Sequence, residues 1–372
     1  MKHVALATFM LLPSSIGFSE ARRPDNIAVV LDMQSTKQVY LETRAGIRAA
    51  MEVLRSTGHE PIVKFFDSHG NGVVTKHVME HVITLKPDVI IGEIDSDKAL
   101  IAGYVAEAAH QPMITPFATS PGVTKNRSYI FRGCFSDAFQ GAMLGQFARN
   151  HLKLARAAIL YDKSHLYSST LRNEFAREFT SLGGKIVADV PVLSTEGDFS
   201  GALDQIQRSH PDFIFVPLYE ETVAKILAEG IRRHSLKDLP LIGGDGWAAG
   251  AIFGKLVADK KSELTAYWVL HHDPRLAGKA TEVFLRAYEK VTGSLPMTSA
   301  AYLAYDSVMV AHAALLNAKD RDPDSFVAAI KKLNFTGVSG RSSYNGFSDP
   351  SKSLFMMKFD GHKSTFLNEM RP

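Results

Sequence analysis

The chain has 372 residues, of which 45% are hydrophobic and 22% are charged, and its formal net charge is +3. This length exceeds what one hydrophobic core usually supports, so two domains are expected. The charge is small and the basic residues are scattered. This argues against a nucleic-acid partner, because nucleic-acid binding needs a clustered basic face.

The N-terminus has the pattern of a signal peptide. Lys2 and His3 form a basic start, residues 4–12 are apolar, and a polar exit ends in the small residues Ser19 and Ala21. This order predicts export to the periplasm and cleavage after Ala21, with residues 1–21 removed. The apolar segment is far shorter than the roughly 20 residues of a membrane helix, so no direct membrane insertion is expected. An uncleaved, buried first strand is the alternative.

Strands alternate with helices in two successive runs of the chain. The first run has predicted strands at 26–31, 61–67 and 129–132 and predicted helices at 40–56 and 72–85. The second run has predicted strands at 157–161 and 185–192 and predicted helices at 167–182 and 199–209. Strands that alternate with helices of this length indicate an α/β fold with parallel sheets and right-handed crossovers.

A sequence unit occurs twice, at residues 86–119 and again at 210–247. Each copy has a Pro-Asp turn, a short apolar run, a polar strand end, a helix, a strand that begins after proline, and a second polar strand end. Ligands of open parallel sheets bind beyond the carboxyl ends of the strands, so these polar ends are candidate binding residues. The aligned positions are Ser96 with Tyr219 and Glu220, Phe117 with Asp245, and Thr119 with Trp247. Two copies predict two lobes with a cleft between them.

The last quarter of the chain differs from the two runs. It predicts helices at 277–291, 298–318 and 323–333 and a β-hairpin within 354–366. These elements cannot form a third lobe, so we expect the chain to return to the first lobe and cross again, forming a hinge. The expected division is 22–134 with 273–336 for the first lobe, and 135–272 with 337–372 for the second.

No catalytic or metal-binding motif stands out. Cys134 is the only cysteine, and its surroundings favour a small buried hydrophobe over a nucleophile. The chain has no GxSxG elbow, phosphate loop or dinucleotide fingerprint. His271, His272 and Asp273 are adjacent, and neighbouring side chains of a strand point in opposite directions, so they make a poor metal site. We therefore expect no enzyme, no cofactor and no metal.

Several motifs, in this order, resemble those of type I periplasmic binding proteins. They are Thr115-Pro116-Phe117-Ala118-Thr119-Ser120-Pro121, the segment Arg132 to Gly141, Tyr161-Asp162-Lys163, Gly243-Gly244-Asp245-Gly246-Trp247, and Ala304-Tyr305-Asp306-Ser307-Val308. The most similar group is the branched-chain amino-acid (leucine/isoleucine/valine-binding) proteins of ABC transporters. The similarity covers nearly the whole chain after the signal peptide. It implies a two-lobed clamshell with multiple hinge crossings.

In the first lobe, the resemblance implies that Ser96 and Thr119 hold the ligand's α-carboxylate, with a contact to the backbone carbonyl of Phe117. Ser96 is also a candidate N-cap of the helix that follows it, and an anion there would meet free N–H groups. A plain cap at Ser96 and ordinary turn chemistry at Thr119 are the alternatives.

In the second lobe, the resemblance implies contacts from Tyr167, Tyr219 and Asp245. A carboxylate at Asp245 suits a primary ammonium, which needs several acceptors when it leaves water. Trp247 is a further candidate from the repeat. The alternatives are a turn-forming role for Asp245 and surface positions for the two tyrosines.

One departure from the family bears on specificity. Asp95 stands where branched-chain binders tend to carry a non-ionisable residue, and Ala300 and Ala301 stand where a bulky pocket wall is common. An acid and small walls allow a larger or more polar ligand side chain. Alternatively, Asp95 pairs with Lys98 on the surface.

The leading hypothesis is a binding protein that captures a small amino acid between two lobes and presents it to the membrane subunits of an ABC transporter. The alternative is a periplasmic sensor or receptor domain for a small amide or carboxylate.

Overall fold

A computed structural model describes residues 23–232, 239–247, 253 and 264–372. The predicted signal peptide, residues 1–21, and its cleavage site lie outside the described residues.

The first lobe is built on a parallel sheet of five strands in the order β2-β1-β3-β4-β5. Its strands are β1 (Asn26–Leu31), β2 (Ile62–Asp67), β3 (Val89–Gly92), β4 (Met113–Thr115) and β5 (Ile130–Arg132). Its crossover helices are α1 (Gln38–Ser56), α2 (Gly72–Thr84) and α3 (Ser96–Ala108). Side chains of β1 alternate between two cores, with Val29 on one face of the sheet and Val30 on the other. Both faces are therefore buried, as the continuous apolar runs predict.

The second lobe repeats this plan. Its strands are β6 (Arg156–Asp162), β7 (Lys185–Val192), β8 (Phe213–Val216), β9 (Leu241–Gly243) and β10 (Ala266–Leu270), followed late in the chain by β13 (Leu354–Phe359) and β14 (Ser364–Met370). Its helices are α4 (Asp137–Gln146), α5 (Leu166–Ser181), α6 (Ser200–Arg208) and α7 (Glu220–Arg232). The order β7-β6-β8-β9-β10 matches that of the first sheet, and antiparallel β13 and β14 extend it beyond β10.

The aspartate of each Pro-Asp turn has the same structural role in the two lobes. The Asp88 carboxylate accepts a hydrogen bond from the backbone N–H of Asn26, at the start of β1. The Asp212 carboxylate accepts hydrogen bonds from the backbone N–H groups of Ala155 and Arg156, at the start of β6. The carboxylate thus connects the start of β3 to β1 in the first lobe and the start of β8 to β6 in the second lobe.

The late helices pack on the first lobe. They are α8 (Lys279–Thr292), α9 (Ser299–Asn317) and α10 (Pro323–Ile330), and a hairpin of β11 (Asn334–Gly337) and β12 (Gly340–Ser343) follows. Val338 and Tyr344 are buried in the core of the first lobe, so the chain stays with that lobe beyond the boundary expected at residue 336. Among the described residues, α9 alone has the length and hydropathy of a membrane span, and 72% of that window is buried inside the protein. It is a core helix.

The sequence patterns did not predict α4, the π-helical turn Phe147–His151 that continues it, strand β10 or the β11–β12 hairpin. The segment before α4 was expected to cross between lobes, and it does so just after β5. The crossing is anchored by Arg132, which is fully buried. Its guanidinium donates hydrogen bonds to the carbonyls of Ala118 and Ser120 and to the carboxylate of Asp349. A buried cation needs such complete pairing.

We predict that Gly243→Ala lowers the free energy of unfolding by about 1–3 kcal/mol, the usual effect of overpacking a core. A Cβ atom at Gly243 would lie 1.9 Å from Cε2 of the fully buried Trp247. Urea unfolding of the purified variant measures the loss. The control is Gly201→Ala in α6, where a Cβ meets nothing within 4 Å. Equal stability of the two variants would contradict the predicted clash.

Candidate functional site

A cavity of about 410 Å³ lies between the lobes, beyond the carboxyl ends of the parallel strands. The first lobe lines it with Lys37, Gln38, Val39, Tyr40, Asp95 and Phe117. The second lobe lines it with His165, Ser194, Thr195, Tyr219, Glu220, Glu221, Thr222, Lys225 and Gly246. Three of the residues singled out in the sequence, Asp95, Phe117 and Tyr219, are therefore on its wall.

The two lobes touch across this cleft. Both carboxylate oxygens of Asp97, in α3, accept hydrogen bonds from the backbone N–H of Leu166, the first residue of α5, at 3.1 and 3.2 Å. Lys37 and Glu221 form an ion pair at 3.1 Å. The side chain of His165 also interacts with Asp97, and this hydrogen bond is the main cause of the raised pKa of His165. The structure is thus in a closed arrangement, with an acid of one lobe at a helix N-terminus of the other.

Ser96 and Thr119 do not line the cavity, although Asp95 and Phe117, close to them in the sequence, do. Ser96 is the first residue of α3, and Asp95 precedes it at the N-cap position, so the predicted capping role of Ser96 is wrong. The Ser96 hydroxyl oxygen instead accepts a hydrogen bond from the backbone N–H of Ser120 at 3.3 Å. The Thr119 carbonyl accepts one from the backbone N–H of Asp137 at 2.8 Å. Both residues are only 1% exposed.

Tyr167 and Tyr219 stack on each other with their ring centroids 4.9 Å apart. Tyr219 faces the cavity, while Tyr167 is buried behind it, and burial raises the pKa of both phenols well above its usual value. The Tyr167 hydroxyl oxygen accepts a hydrogen bond from the backbone N–H of Gly246 at 3.0 Å. Tyr167 therefore supports the wall that Tyr219 and Gly246 present.

Asp245 is held from three directions. Its Oδ1 accepts a hydrogen bond from the side-chain amide of Gln140 at 2.8 Å, and its backbone N–H donates to the Gln140 carbonyl oxygen at 2.8 Å. Its Oδ2 lies 3.0 Å from Nε2 of His271. Burial lowers the pKa of His271, although Asp245 opposes the shift, so a neutral ring that donates from Nε2 fits this contact. His271 Nδ1 has no hydrogen-bond partner among the described residues.

A second buried carboxylate shares the Gln140 amide. Gln140 Nε2 lies 3.2 Å from Oδ1 of Asp137, and the hydroxyl of Thr170 donates to Oδ2 of Asp137 at 2.7 Å. Burial, with a contribution from nearby Asp245, raises the pKa of Asp137 to about 8. Two carboxylates so close do not both ionise easily, so Asp137 is mainly protonated at neutral pH. A cation bound at Asp245 would favour the ionised form of Asp137. Gln140, Asp137 and His271 were not predicted to be site residues because all three lie outside the repeat.

Trp247 does not face the cavity, which corrects its place among the candidates. Its indole N–H donates to the carbonyl of Val216 at 2.8 Å, and its ring packs in the core of the second lobe near Phe253. Trp247 and Thr119, which the repeat aligns, each lie four residues after the end of a strand, β9 and β4 respectively. The side chain turns inward because Gly243, which lacks a Cβ, leaves room for the indole.

Asp95 both lines the cavity and pairs with Lys98, which were the two alternatives considered from the sequence. Its Oδ2 accepts a hydrogen bond from the hydroxyl of Tyr40 at 2.8 Å and pairs with the ammonium of Lys98 at 2.5 Å. The residue also lines the cavity. The pairing with Lys98 is confirmed, and it does not remove Asp95 from the site.

Cys134 is buried, and burial raises the pKa of its thiol to about 12. It therefore stays a thiol at neutral pH, which is unsuited to a nucleophile. His272 stacks on Tyr302 at 4.0 Å, and burial lowers its pKa to about 4. The described part of the chain contains no cluster of three His, Cys, Asp or Glu side chains that could hold a metal ion.

Comparison with known proteins gives a consistent result. The family model described as "Periplasmic binding protein" matches residues 25–363. A curated Pseudomonas aeruginosa protein, the leucine-, isoleucine-, valine-, threonine-, and alanine-binding protein, is 23% identical over 300 residues, which is 76% of this chain and 74% of that protein.

Solved structures agree with the fold. A leucine binding protein, LivK, from Thermotoga maritima is 28% identical with a TM-score of 0.83, and the match covers 94% of this chain and 99% of that one. LivJ from Streptococcus pneumoniae in complex with isoleucine is 24% identical with a TM-score of 0.82, covering 94% and 100%. A solute binding protein from R. palustris in complex with benzoate is 19% identical with a TM-score of 0.79, covering 94% and 97%. The last two likenesses show the fold alone.

We predict that His271 makes the protein less stable in acid. Its pKa lies below the ordinary value of 6.5 in the folded state, so the unfolded chain binds more protons below that pH. Stability therefore falls as the pH drops through 6.5, by up to about 1.4 kcal/mol per pH unit for one such group. His271→Gln should flatten the change in free energy of unfolding between pH 7 and pH 5. Its control is His362→Gln at an exposed turn, which should keep the wild-type slope. Equal slopes for all three proteins would contradict the assignment.

Proposed function

Because the chain belongs to the periplasmic binding protein family, we propose that it captures a small α-amino acid between its lobes and delivers it to the membrane subunits of an ABC transporter. Residues 1–21 are the signal peptide, removed after Ala21, so the mature protein acts in the periplasm. Its relatives support this ligand class, since they include leucine- and isoleucine-binding proteins. The protein is a receptor and not an enzyme.

The observation that carries the proposal is the pair of buried carboxylates at Asp137 and Asp245. They share one amide, that of Gln140, and His271, which contacts Asp245, has a pKa that burial lowers. A ligand ammonium supplies the missing positive charge and several donors at once. Asp245 is its acceptor in this proposal, and the ammonium would favour ionisation of Asp137 behind it.

The ligand carboxylate binds on the opposite wall. The hydroxyl of Ser96 accepts one hydrogen bond and keeps its own proton for donation. It lies at the N-terminal end of α3, where free N–H groups favour an anion. The hydroxyl of Thr119 completes the carboxylate side, and the carbonyl of Phe117 accepts a hydrogen bond from the ligand ammonium. Tyr219, supported by Tyr167, covers the ligand from the second lobe.

The alternative is a receptor for a small carboxylate that has no amine. It is favoured by the hydrogen bonds that Asp245 already has with Gln140 and His271, which such a ligand would leave in place. The R. palustris relative in complex with benzoate has the same fold.

We predict that Asp245→Asn weakens binding of the preferred amino acid by about two orders of magnitude. Removing one partner of a buried charge pair costs about 3 kcal/mol or more, and each 1.4 kcal/mol is tenfold in affinity. Calorimetric titration gives the dissociation constants. The exposed hairpin variant Asp360→Asn is the control and should bind as the wild type does. Undiminished affinity in Asp245→Asn, or a best ligand without an amine, would favour the carboxylate alternative.

Closure is tested at the contact between the lobes. Asp97→Ala removes the hydrogen bonds to the N–H of Leu166, and losing a helix cap costs about 1 kcal/mol, or about fivefold in affinity. Small-angle scattering of the variant should show incomplete compaction at ligand concentrations that are just sufficient to close the wild type.

Asn71→Ala is the matched control for closure. The Asn71 side chain caps α2 by accepting hydrogen bonds from the N–H groups of Val73 and Val74, all within the first lobe. Its loss should lower the melting temperature without changing affinity. If Asp97→Ala behaved in the same way, the contact with Leu166 would have no part in closure.

A further inference from the structure

Most of the residues that line the cavity carry a polar side-chain group, although carbon atoms form the larger part of its exposed surface. Among the lining residues, only Val39 and Phe117 have side chains made entirely of hydrocarbon. Acids, lysines, hydroxyls and an amide form most of the rest. An aliphatic ligand side chain would take these groups out of water without offering them partners, which is unfavourable. The cavity is therefore better matched to a ligand whose side chain makes hydrogen bonds.

Asp95 occupies a position where its carboxylate could cap a helix, and it does not. It is the N-cap residue of α3, yet its side chain makes no hydrogen bond to the N–H groups of the first turn. Aspartate at this position usually makes that bond. The carboxylate is instead turned to Tyr40 and Lys98, which fix it at the edge of the cavity.

The two oxygens of Asp95 are used unequally. Oδ2 accepts the hydrogen bond from Tyr40 and is the oxygen nearest Lys98. Oδ1 has no partner among the described residues, although the side chain borders the cavity. A carboxylate oxygen can accept two hydrogen bonds. Oδ1 is thus oriented by its neighbours and left with its acceptor capacity unfilled.

The charges around Asp95 decide which side chains suit it. Lys98 already balances its charge, at 2.5 Å from Oδ2. Glu93 lies behind it, fully buried, and burial raises its pKa to about 8, so it is mainly protonated at neutral pH. An acidic ligand side chain has no proton to donate to Oδ1 and would be repelled by it. A side chain with N–H donors satisfies it.

We propose that the preferred ligand is an α-amino acid whose side chain ends in N–H donors, and that Oδ1 of Asp95 is the group that selects it. This inference rests on the proposed function and narrows its substrate class. A carboxamide and a cationic amine share the required chemistry, and the test distinguishes them.

The test is calorimetric titration of the purified protein with glutamine, lysine, leucine and glutamate. We expect glutamine or lysine to bind at least tenfold tighter than leucine and glutamate, and the tighter of the two identifies a neutral amide or a cation as the recognised group. Tightest binding of leucine or glutamate would overturn the inference while leaving the amino-acid function intact. Binding confined to amine-free carboxylates would overturn the proposed function, and the inference with it.

Two variants test Asp95 itself. Asp95→Ala removes Oδ1 and frees Lys98, so the donor-bearing ligand should lose at least tenfold while glutamate gains. Asp95→Asn, which keeps the shape of the side chain and suits an N-cap, should shift selectivity in the same direction. Asp322→Ala removes another N-cap aspartate, that of α10, which is exposed and does not line the cavity, so it is the matched control and should retain wild-type selectivity. Thermal unfolding confirms that each variant is folded. Unchanged selectivity in both Asp95 variants would overturn the assignment.

Discussion

The site depends on one shared amide. The side-chain N–H₂ group of Gln140 donates hydrogen bonds to two buried carboxylates, Asp137 and Asp245. Its carbonyl oxygen accepts a hydrogen bond from the backbone N–H of Asp245. This fixes both the turn after β9 and the side chain that it carries. The glycines of that turn make the arrangement possible, because a Cβ at Gly244 would lie 2.8 Å from Oε1 of Gln140 and 2.5 Å from the hydroxyl of Tyr167. These glycines therefore make room for the side chains of Gln140 and Tyr167.

The two sheets could be predicted from the sequence because the signals that specify them are local and occur twice. A Pro-Asp turn, an apolar run and a strand led by proline each act over a few residues. Asp88 and Asp212 have the same structural role in the two copies: each accepts hydrogen bonds from backbone N–H groups at the start of a neighbouring strand. The same reasoning placed Phe117 and Tyr219 at the strand ends, where they line the cavity. Asp95, which also lines it, was singled out by its departure from the family resemblance.

Side-chain partners at those strand ends could not be predicted in the same way. The repeat predicts the position of Trp247 in the sequence. The orientation of its side chain depends on the space next to Gly243, which only the folded structure shows. His271 was considered only with its sequence neighbours, yet its partner is Asp245, on an adjacent strand's end. Contacts of this kind join residues far apart in the sequence and leave no periodic signal, and only the closed fold brings them together.

The contacts across the cleft are too weak to close the protein by themselves. Lys37 and Glu221 are 54% and 60% exposed at the side chain, and an exposed ion pair contributes about 0–1 kcal/mol. The cap that Asp97 provides for α5 adds about 1 kcal/mol. Moving an equilibrium from mostly open to mostly closed takes about 5.5 kcal/mol of differential binding. The remainder has to come from a ligand that contacts both lobes at once, and unfilled groups such as Oδ1 of Asp95 are where a ligand can supply it.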